Sequence, residues 1–293
     1  MKEPASKWQG KTDGLPWMHR SLVWMLRYIP VDVIYAVMDV VIVFYMLFSR
    51  SYTKASYHYF RTIHRKRPIP AVGHVYLLFR QFGQVVIDRF AVYAGKQFEI
   101  ELEGNELVVE AMKKEEGCVM LSSHVGNYEM AGYVLRPTKP MYAIMFGGEK
   151  QFVLENRKRE LERNGIRTIV SDDEWSYLYS IHQILQEGNM LTLFADRNFG
   201  SPKTIRATIF GKEANLPRGP FTVAGLYEHT TVLCAFVMKE TKHKYHVYVR
   251  QLKGNNAQSY ARAFADELTG VINKYPHQWY NFFEFWEKDY DIV

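Results

Sequence analysis

The chain has 293 residues, 37 Lys plus Arg against 31 Asp plus Glu, 47% apolar residues and 15% aromatics, enough for one large domain with a real core. Charged residues make up 23%, and neither a Gly, Ser, Pro or Gln-biased tract nor an internal repeat is present, which excludes disordered, fibrous and solenoid architectures. Cys118 and Cys234 each sit alone in an apolar run, so neither a disulfide scaffold nor a thiolate metal site can be built from them, and a reducing compartment is the default expectation.

The net charge of +6 is unevenly spread. Residues 1–70 hold 11 bases and 4 acids, whereas the other 223 residues hold 26 bases and 27 acids. A basic first quarter on a neutral body points to an anionic surface at one end of the molecule. From Ile29 to Phe48 the chain is apolar apart from Pro30, Asp32 and Asp39. Trp8, Trp17 and Trp24 lie upstream, and Arg50, Lys54, Arg61, Arg65, Lys66 and Arg67 lie downstream with no acid among them. Aromatic rings at headgroup level and cations facing anionic lipid are the signature of a membrane-surface element. Three readings stay open: an interfacial helix, a single span in which Asp39 is costly, and a helix buried in the core. Residues 1–14 lack the apolar region of a signal peptide. No basic run sits on a recognisable nucleic-acid reader, so nucleic acid is not expected as a partner.

Beyond this region, short apolar runs predict strands at Phe98–Leu102, Cys118–Ser123, Met141–Met145, Met190–Phe194, Thr204–Phe210, Thr231–Met238 and Lys244–Gln251. Helical patterns lie between or after them at about Glu106–Glu115, Asn127–Leu135, Gln151–Asn164, Glu174–Gln186, Pro220–Glu228 and Ser259–Lys274, with Gly165, Gly188 and Pro276 as stop signals. The expected fold is α/β: a single mixed-sheet domain over 71–293 flanked by helices, preceded by a basic, apolar, membrane-associating helical region over 1–70. The segment Tyr275–Tyr290 carries eight aromatics in sixteen residues and is expected to form a closing helix on the sheet, with an acyl channel or a membrane contact as the other reading.

The most informative stretch is Cys118-Val-Met-Leu-Ser-Ser-His124-Val-Gly126-Asn127-Tyr128-Glu129. An apolar strand runs into His124, and a helix whose first turn carries Glu129 follows. A neutral imidazole accepts a proton near pH 7, and a neighbouring carboxylate fixes its tautomer, which is the equipment of general-base catalysis. A purely structural role, with His124 at the helix start and Glu129 complementing its dipole, accounts for the same residues. Ser122 and Ser123 are poor nucleophile candidates, because adjacent strand residues point to opposite faces and no Gly-x-Ser-x-Gly elbow is present. His58, His64, His243 and His246 have spacings unsuited to a shared metal and are expected at the surface. No phosphate-binding loop or dinucleotide fingerprint occurs.

His124-Val-Gly-Asn-Tyr-Glu129 resembles the signature of the bacterial lipid A late acyltransferases, within the lysophospholipid acyltransferase superfamily. Four further stretches are similar to family blocks in the same order: Asn189–Arg197 with its terminal Asp196, Thr208–Pro220, the strand from Thr230, and Pro276-His-Gln-Trp279. Together they cover roughly residues 100–286. The resemblance implies transfer of a fatty acyl group from acyl carrier protein, or less often acyl-coenzyme A, to a membrane lipid acceptor at the cytoplasmic face of the inner membrane, with the protein peripheral or singly anchored. It implies no cofactor, no metal and no acyl-enzyme. In that scheme His124 deprotonates the acceptor, Glu129 orients His124, and a backbone amide at the helix start or a basic side chain stabilises the oxyanion. Gly126, Asn127, Tyr128, Asp196, Arg197, Arg218 and Gly219 become candidate substrate-binding residues.

Two positions depart from the family pattern, Tyr128 where Trp is usual and Arg197 where Gln is common. Arg197 is suited either to a substrate phosphate or to a salt bridge with Asp196, and Arg218 either to an anion or to an ordinary surface loop. Two alternatives to O-acylation remain: N-acylation of an amino-acid lipid or other amine or pigment acceptor, and a non-catalytic lipid-binding protein on the same fold.

Overall fold

The computed structural model describes residues 16–135, 138–145, 158, 161–162, 165–170, 174–198, 202–226 and 228–286. Four helices open the chain: α1 (Pro16–Tyr28), α2 (Val31–Phe48), α3 (Arg50–Thr62) and α4 (Pro68–Tyr93). The central elements are β1 (Glu99–Glu103), α5 (Asn105–Lys113), β2 (Cys118–Ser122), α6 (Tyr128–Val134), β3 (Met141–Met145), β4 (Ile166–Val170), α7 (Glu174–Gln186) and β5 (Met190–Phe194). The chain continues through β6 (Thr204–Ile209), β7 (Lys212–Pro217), α8 (Arg218–Ala224), β8 (Thr231–Lys239), β9 (Lys244–Gln251) and α9 (Ala257–Lys274).

Seven strands form one mixed sheet in the order β1-β9-β8-β2-β5-β3-β4, and β6 pairs with β7 in a separate antiparallel hairpin. Strands β8, β2, β5, β3 and β4 run parallel, while β9 is antiparallel to β8 and parallel to β1. This is the expected α/β class with helices against a mixed sheet. β2 and β8 are buried along their whole length, as the continuous apolar runs Cys118-Val-Met-Leu and Thr231–Met238 require of a sheet covered on both faces. Two strands escaped the sequence reading. β4 (Ile-Arg-Thr-Ile-Val) follows directly on the Gly165 turn, and β7 (Lys-Glu-Ala-Asn-Leu-Pro) is a half-exposed hairpin strand with only weak alternation. The expected helix at Gln151–Asn164 lies almost wholly outside the described residues; Lys158, Leu161 and Glu162 are helical.

A second difference concerns the aromatic C-terminal segment. Over residues 275–286 it forms no helix but runs as an irregular strap, starting at Pro276. Gln278 fixes it to the C-terminal end of β8: its side chain accepts from the Lys239 amide at 2.8 Å and donates to the Lys239 carbonyl at 2.7 Å. Trp279 is buried and bridges to Val125.

α4 is the spine of the N-terminal region and was not singled out from sequence. Pro68 and Pro70 open it, and Ala71, Val75, Leu78, Phe79, Val85 and Ala91 make its buried stripe at helical spacing. The expected boundary at residue 70 falls in its first turn. α1, α2 and α3 all pack on α4. α2 is long and apolar enough to cross a membrane, with a mean hydropathy of 2.2, yet only 22% of it is buried. Val31, Ile34, Tyr35 and Ile42 face the protein, while Val37, Val40, Phe44, Leu47 and Phe48 do not. The core-helix reading is therefore excluded. Asp39, the costly residue for any membrane contact, is ion-paired with Arg80 of α4 at 2.8 Å.

Helix α2 is joined to the sheet by a buried polar cluster. The Asp88 carboxylate of α4 accepts from the Lys239 ammonium of β8 and from the hydroxyls of Tyr35 of α2 and Tyr245 of β9. The Lys239 ammonium also donates to Tyr35 at 3.1 Å and to the Lys242 carbonyl at 2.8 Å, and lies about 5 Å from the ring centres of Tyr35, Phe98 and Tyr245. Burial pushes the Asp88 carboxyl up and the Lys239 ammonium down, and each counteracts the effect on the other. Removing one partner strands the other charge. Lys239→Met is expected to cost about 3–5 kcal/mol of stability, and Lys239→Met combined with Asp88→Leu to recover most of it. Denaturant titration of the single and double variants checks this, and a double variant no more stable than the single one contradicts it.

Candidate active site

Parallel pairing of β2 with β5 places Ser122 opposite Phe194. His124 and Asp196 each lie two residues beyond those paired positions, so the register itself brings them together at the carboxyl ends of neighbouring strands, where open α/β sheets place ligands. The contact is double. The Asp196 carboxylate accepts the His124 amide proton through Oδ2 at 2.9 Å and meets the ring Nδ1 through Oδ1 at 2.9 Å. Asp196 is fully buried, and burial alone raises its carboxyl. The His124 charge and hydrogen bonds, with Arg197 behind them, outweigh that and hold it below the usual carboxylate range. The Asp196 contact is made through Nδ1, the ring nitrogen nearer the backbone.

The sequence reading assigned the orientation of His124 to Glu129. In the structure the partner at Nδ1 is Asp196, and Glu129, buried in the first turn of α6, is ion-paired with Arg89 of α4 at 2.7 Å. Asp196 thus contacts the imidazole directly, and Glu129 ties α6 to the N-terminal spine through Arg89. Neither Arg89 nor Asp88 was found from sequence. Their signal was a pair of adjacent charges within Val85-Val-Ile-Asp-Arg-Phe90, an otherwise apolar stretch.

The loop between His124 and α6 is pinned at every step. Gly126 has φ +61, and a Cβ there would lie 2.0 Å from the Val237 carbonyl oxygen, so only glycine fits. Its amide donates to the Gln278 carbonyl at 2.8 Å, and the Asn127 amide donates to the Val237 carbonyl at 2.7 Å. Both amides are spent inside the fold, which removes them from the expected oxyanion role. The Asn127 side chain reaches the Tyr245 hydroxyl at 3.2 Å and so touches the Lys239–Asp88 cluster. Around the imidazole, Phe194 lies 4.6 Å and Tyr128 5.4 Å away between ring centres, and these two rings meet edge to face at 4.9 Å. Tyr128 therefore forms an aromatic wall beside His124.

Arg197 is largely buried beside the strap. It donates to the Tyr280 carbonyl at 2.7 Å, lies 3.9 Å from Asp196, and stands over Phe283 at 5.9 Å, bracing the C-terminal strap. Arg218 and Gly219 are exposed at the start of the short helix α8, the Arg218 amide being held by the Lys203 carbonyl. No described contact brings them to His124.

Of the four histidines expected at the surface, His58 and His243 are exposed, but His64 is half-buried and His246 is buried, stacked 4.1 Å from Tyr248. Glu101, Glu240 and His246 approach one another closely enough to share an ion, yet Lys244 lies 2.7 Å from Glu101 and Lys274 lies 3.9 Å from Glu240. Their charge is already compensated. Cys118 and Cys234 are buried free thiols, and burial pushes Cys118 up to about 12, far from thiolate chemistry.

The profile of the bacterial lipid A biosynthesis acyltransferases matches residues 78–288, more than two thirds of the chain. No curated protein matches the chain at a significant level. The matched region begins within α4 and takes in the whole sheet, the His124–Asp196 pair, Glu129 and the C-terminal strap. The chain is an acyltransferase of the bacterial lipid A biosynthesis acyltransferase family.

Proposed function

We propose that the enzyme moves a fatty acyl group directly from the thioester of acyl carrier protein to a hydroxyl of a membrane lipid, at the cytoplasmic face of the inner membrane. The observation that carries this reading is the His124 imidazole held through Nδ1 by a buried, ionised Asp196 at the mouth of the sheet. His124 Nε2 takes the proton of the acceptor hydroxyl as its oxygen attacks the thioester carbonyl. The tetrahedral intermediate then collapses, the C–S bond breaks, and the proton passes from His124 to the departing thiolate. Asp196 keeps the reactive nitrogen pointed outward and stabilises the imidazolium formed in between. Glu129 holds α6 in place through Arg89. Ser122 and Ser123 are both buried, which supports transfer without an acyl-enzyme.

The membrane side of the proposal rests on α2 and its surroundings. The outward apolar residues of α2, together with exposed Trp17, Trp24 and Ile69, form a face for the bilayer, and Arg61 in the last turn of α3 and Arg65, Lys66 and Arg67 in the α3–α4 connection follow. Such a platform suits one substrate that resides in the membrane and another that arrives from the cytosol.

His124→Ala is expected to abolish turnover with folding intact, and Asp196→Asn to lower kcat by roughly 10²–10⁴-fold with little change in donor KM. Lipid mass spectrometry, looking for gain of one fatty acyl group, checks both and names the acceptor; full activity in either variant overturns the mechanism. Asp196 also leaves a signature in stability. Its folded carboxyl is held low, so the stabilisation is complete above the unfolded value of about 3.9 and is lost as pH falls through the folded value. Asp196→Asn should flatten that acid limb in pH-dependent denaturation. Gly126→Ala is expected to lose both stability and turnover, because Val237 cannot retreat without disturbing the β8–β9 pairing. Reversing the charges of Arg61, Arg65, Lys66 and Arg67 should weaken sedimentation with anionic vesicles, more at low salt than at high; wild-type binding that ignores salt would count against the platform.

A further inference from the structure

Away from His124, a cavity of about 280 Å³ opens between the last turn of α2, the first two turns of α3 and the first two turns of α4. Its floor is the buried Val75, and Met46, Tyr57 and Val72 form its walls. Thr53 also lines it, with its hydroxyl spent on the Met46 carbonyl at 2.9 Å. Arg50 and Lys54 lie at its mouth, four residues apart and so on one face of α3. No acid lines the cavity, and neither cation forms an ion pair with a described acid.

Two unneutralised cations beside an apolar cleft ask for an occupant with both an anion and a hydrocarbon chain. Inorganic phosphate would satisfy the cations and leave the valine floor bare, and a zwitterionic lipid would bring the chain without net negative charge. The approach is apolar as well. Phe44, Leu47 and Phe48 of α2 and Ile69 of α4 are exposed beside the groove, so a lipid can enter from the plane of a bilayer. The geometry points to a seat for one anionic glycerophospholipid, its phosphate between Arg50 and Lys54 and an acyl chain along Tyr57, Met46 and Val75. This site is separate from the acyl-transfer centre, which lies at the ends of β2 and β5. It rests on the membrane-surface reading for access to lipid.

The test uses the full chain, delipidated in detergent and then exposed to mixed micelles holding equal amounts of phosphatidylglycerol and phosphatidylcholine. Native mass spectrometry reads the retained lipid. One phosphatidylglycerol per chain is expected, with phosphatidylcholine excluded. Arg50→Ala with Lys54→Ala should reduce retention by roughly tenfold or more, since each cation facing an anionic headgroup contributes about a fivefold effect. Val72→Trp fills the cleft at a half-exposed position while keeping both charges, and it should also abolish retention. Equal retention of the two lipids, undiminished retention in the alanine pair, or undiminished retention in Val72→Trp each overturns the site. Vesicle sedimentation of the wild type separates the two readings: bound vesicles with no retained lipid defeat the groove alone, whereas failure to bind vesicles defeats the membrane surface on which it rests.

Discussion

A buried lysine and a buried aspartate hold this protein together at the point where its N-terminal helices meet the sheet that carries His124. Lys239 ends a strand that is buried along its whole length, and Asp88 sits on the inner face of α4. Neither charge is tolerable there alone, so each fixes the position of the other. Tyr35 brings α2 into the cluster, Tyr245 brings β9, and Asn127 brings the loop that follows His124. A displacement of any of these elements leaves a charge or a hydroxyl buried without its bond.

The neighbouring residue extends the same constraint. Arg89, next to Asp88 on α4, pairs with Glu129 in the first turn of α6. Two adjacent residues of one helix thus grip the sheet and the helix that follows His124. From the other side, Gln278 bonds both ends of the Lys239 peptide, its carbonyl takes the Gly126 amide, and Arg197 holds the strap at Tyr280. The imidazole is thus flanked by backbone whose amides and carbonyls are already bonded, which holds the His124 loop in one geometry.

This arrangement divides the carboxylates of the site. Asp196 touches the imidazole and Glu129 pairs with Arg89, although Glu129 is the carboxylate nearer to His124 in sequence. Sequence proximity favoured Glu129 because it shares a motif with His124. Asp196 is distant in sequence and near in space only because β5 pairs with β2 in register.

Local pattern was enough for the α/β class, for most strands, for the long last helix and for placing His124 at a strand end, because each rests on periodicity within a short window or on one motif. The family resemblance likewise lay in linear blocks. What local pattern could not carry was any relation between distant segments. The strap at residues 275–286 reads as helical from its aromatics, but Gln278 and Trp279 bond across to the sheet and the His124 loop and pull it out of a helix. The α2 segment reads as span, surface or core alike from its composition, and its packing on α4 through one face, with Asp39 neutralised by Arg80, excludes the core. Asp88, Arg89 and Lys239 are ordinary charges until the fold buries them against one another. Residue chemistry therefore determined which groups were able to react, and strand register and burial decided which of them meet, because only the folded chain sets distances between groups far apart in sequence.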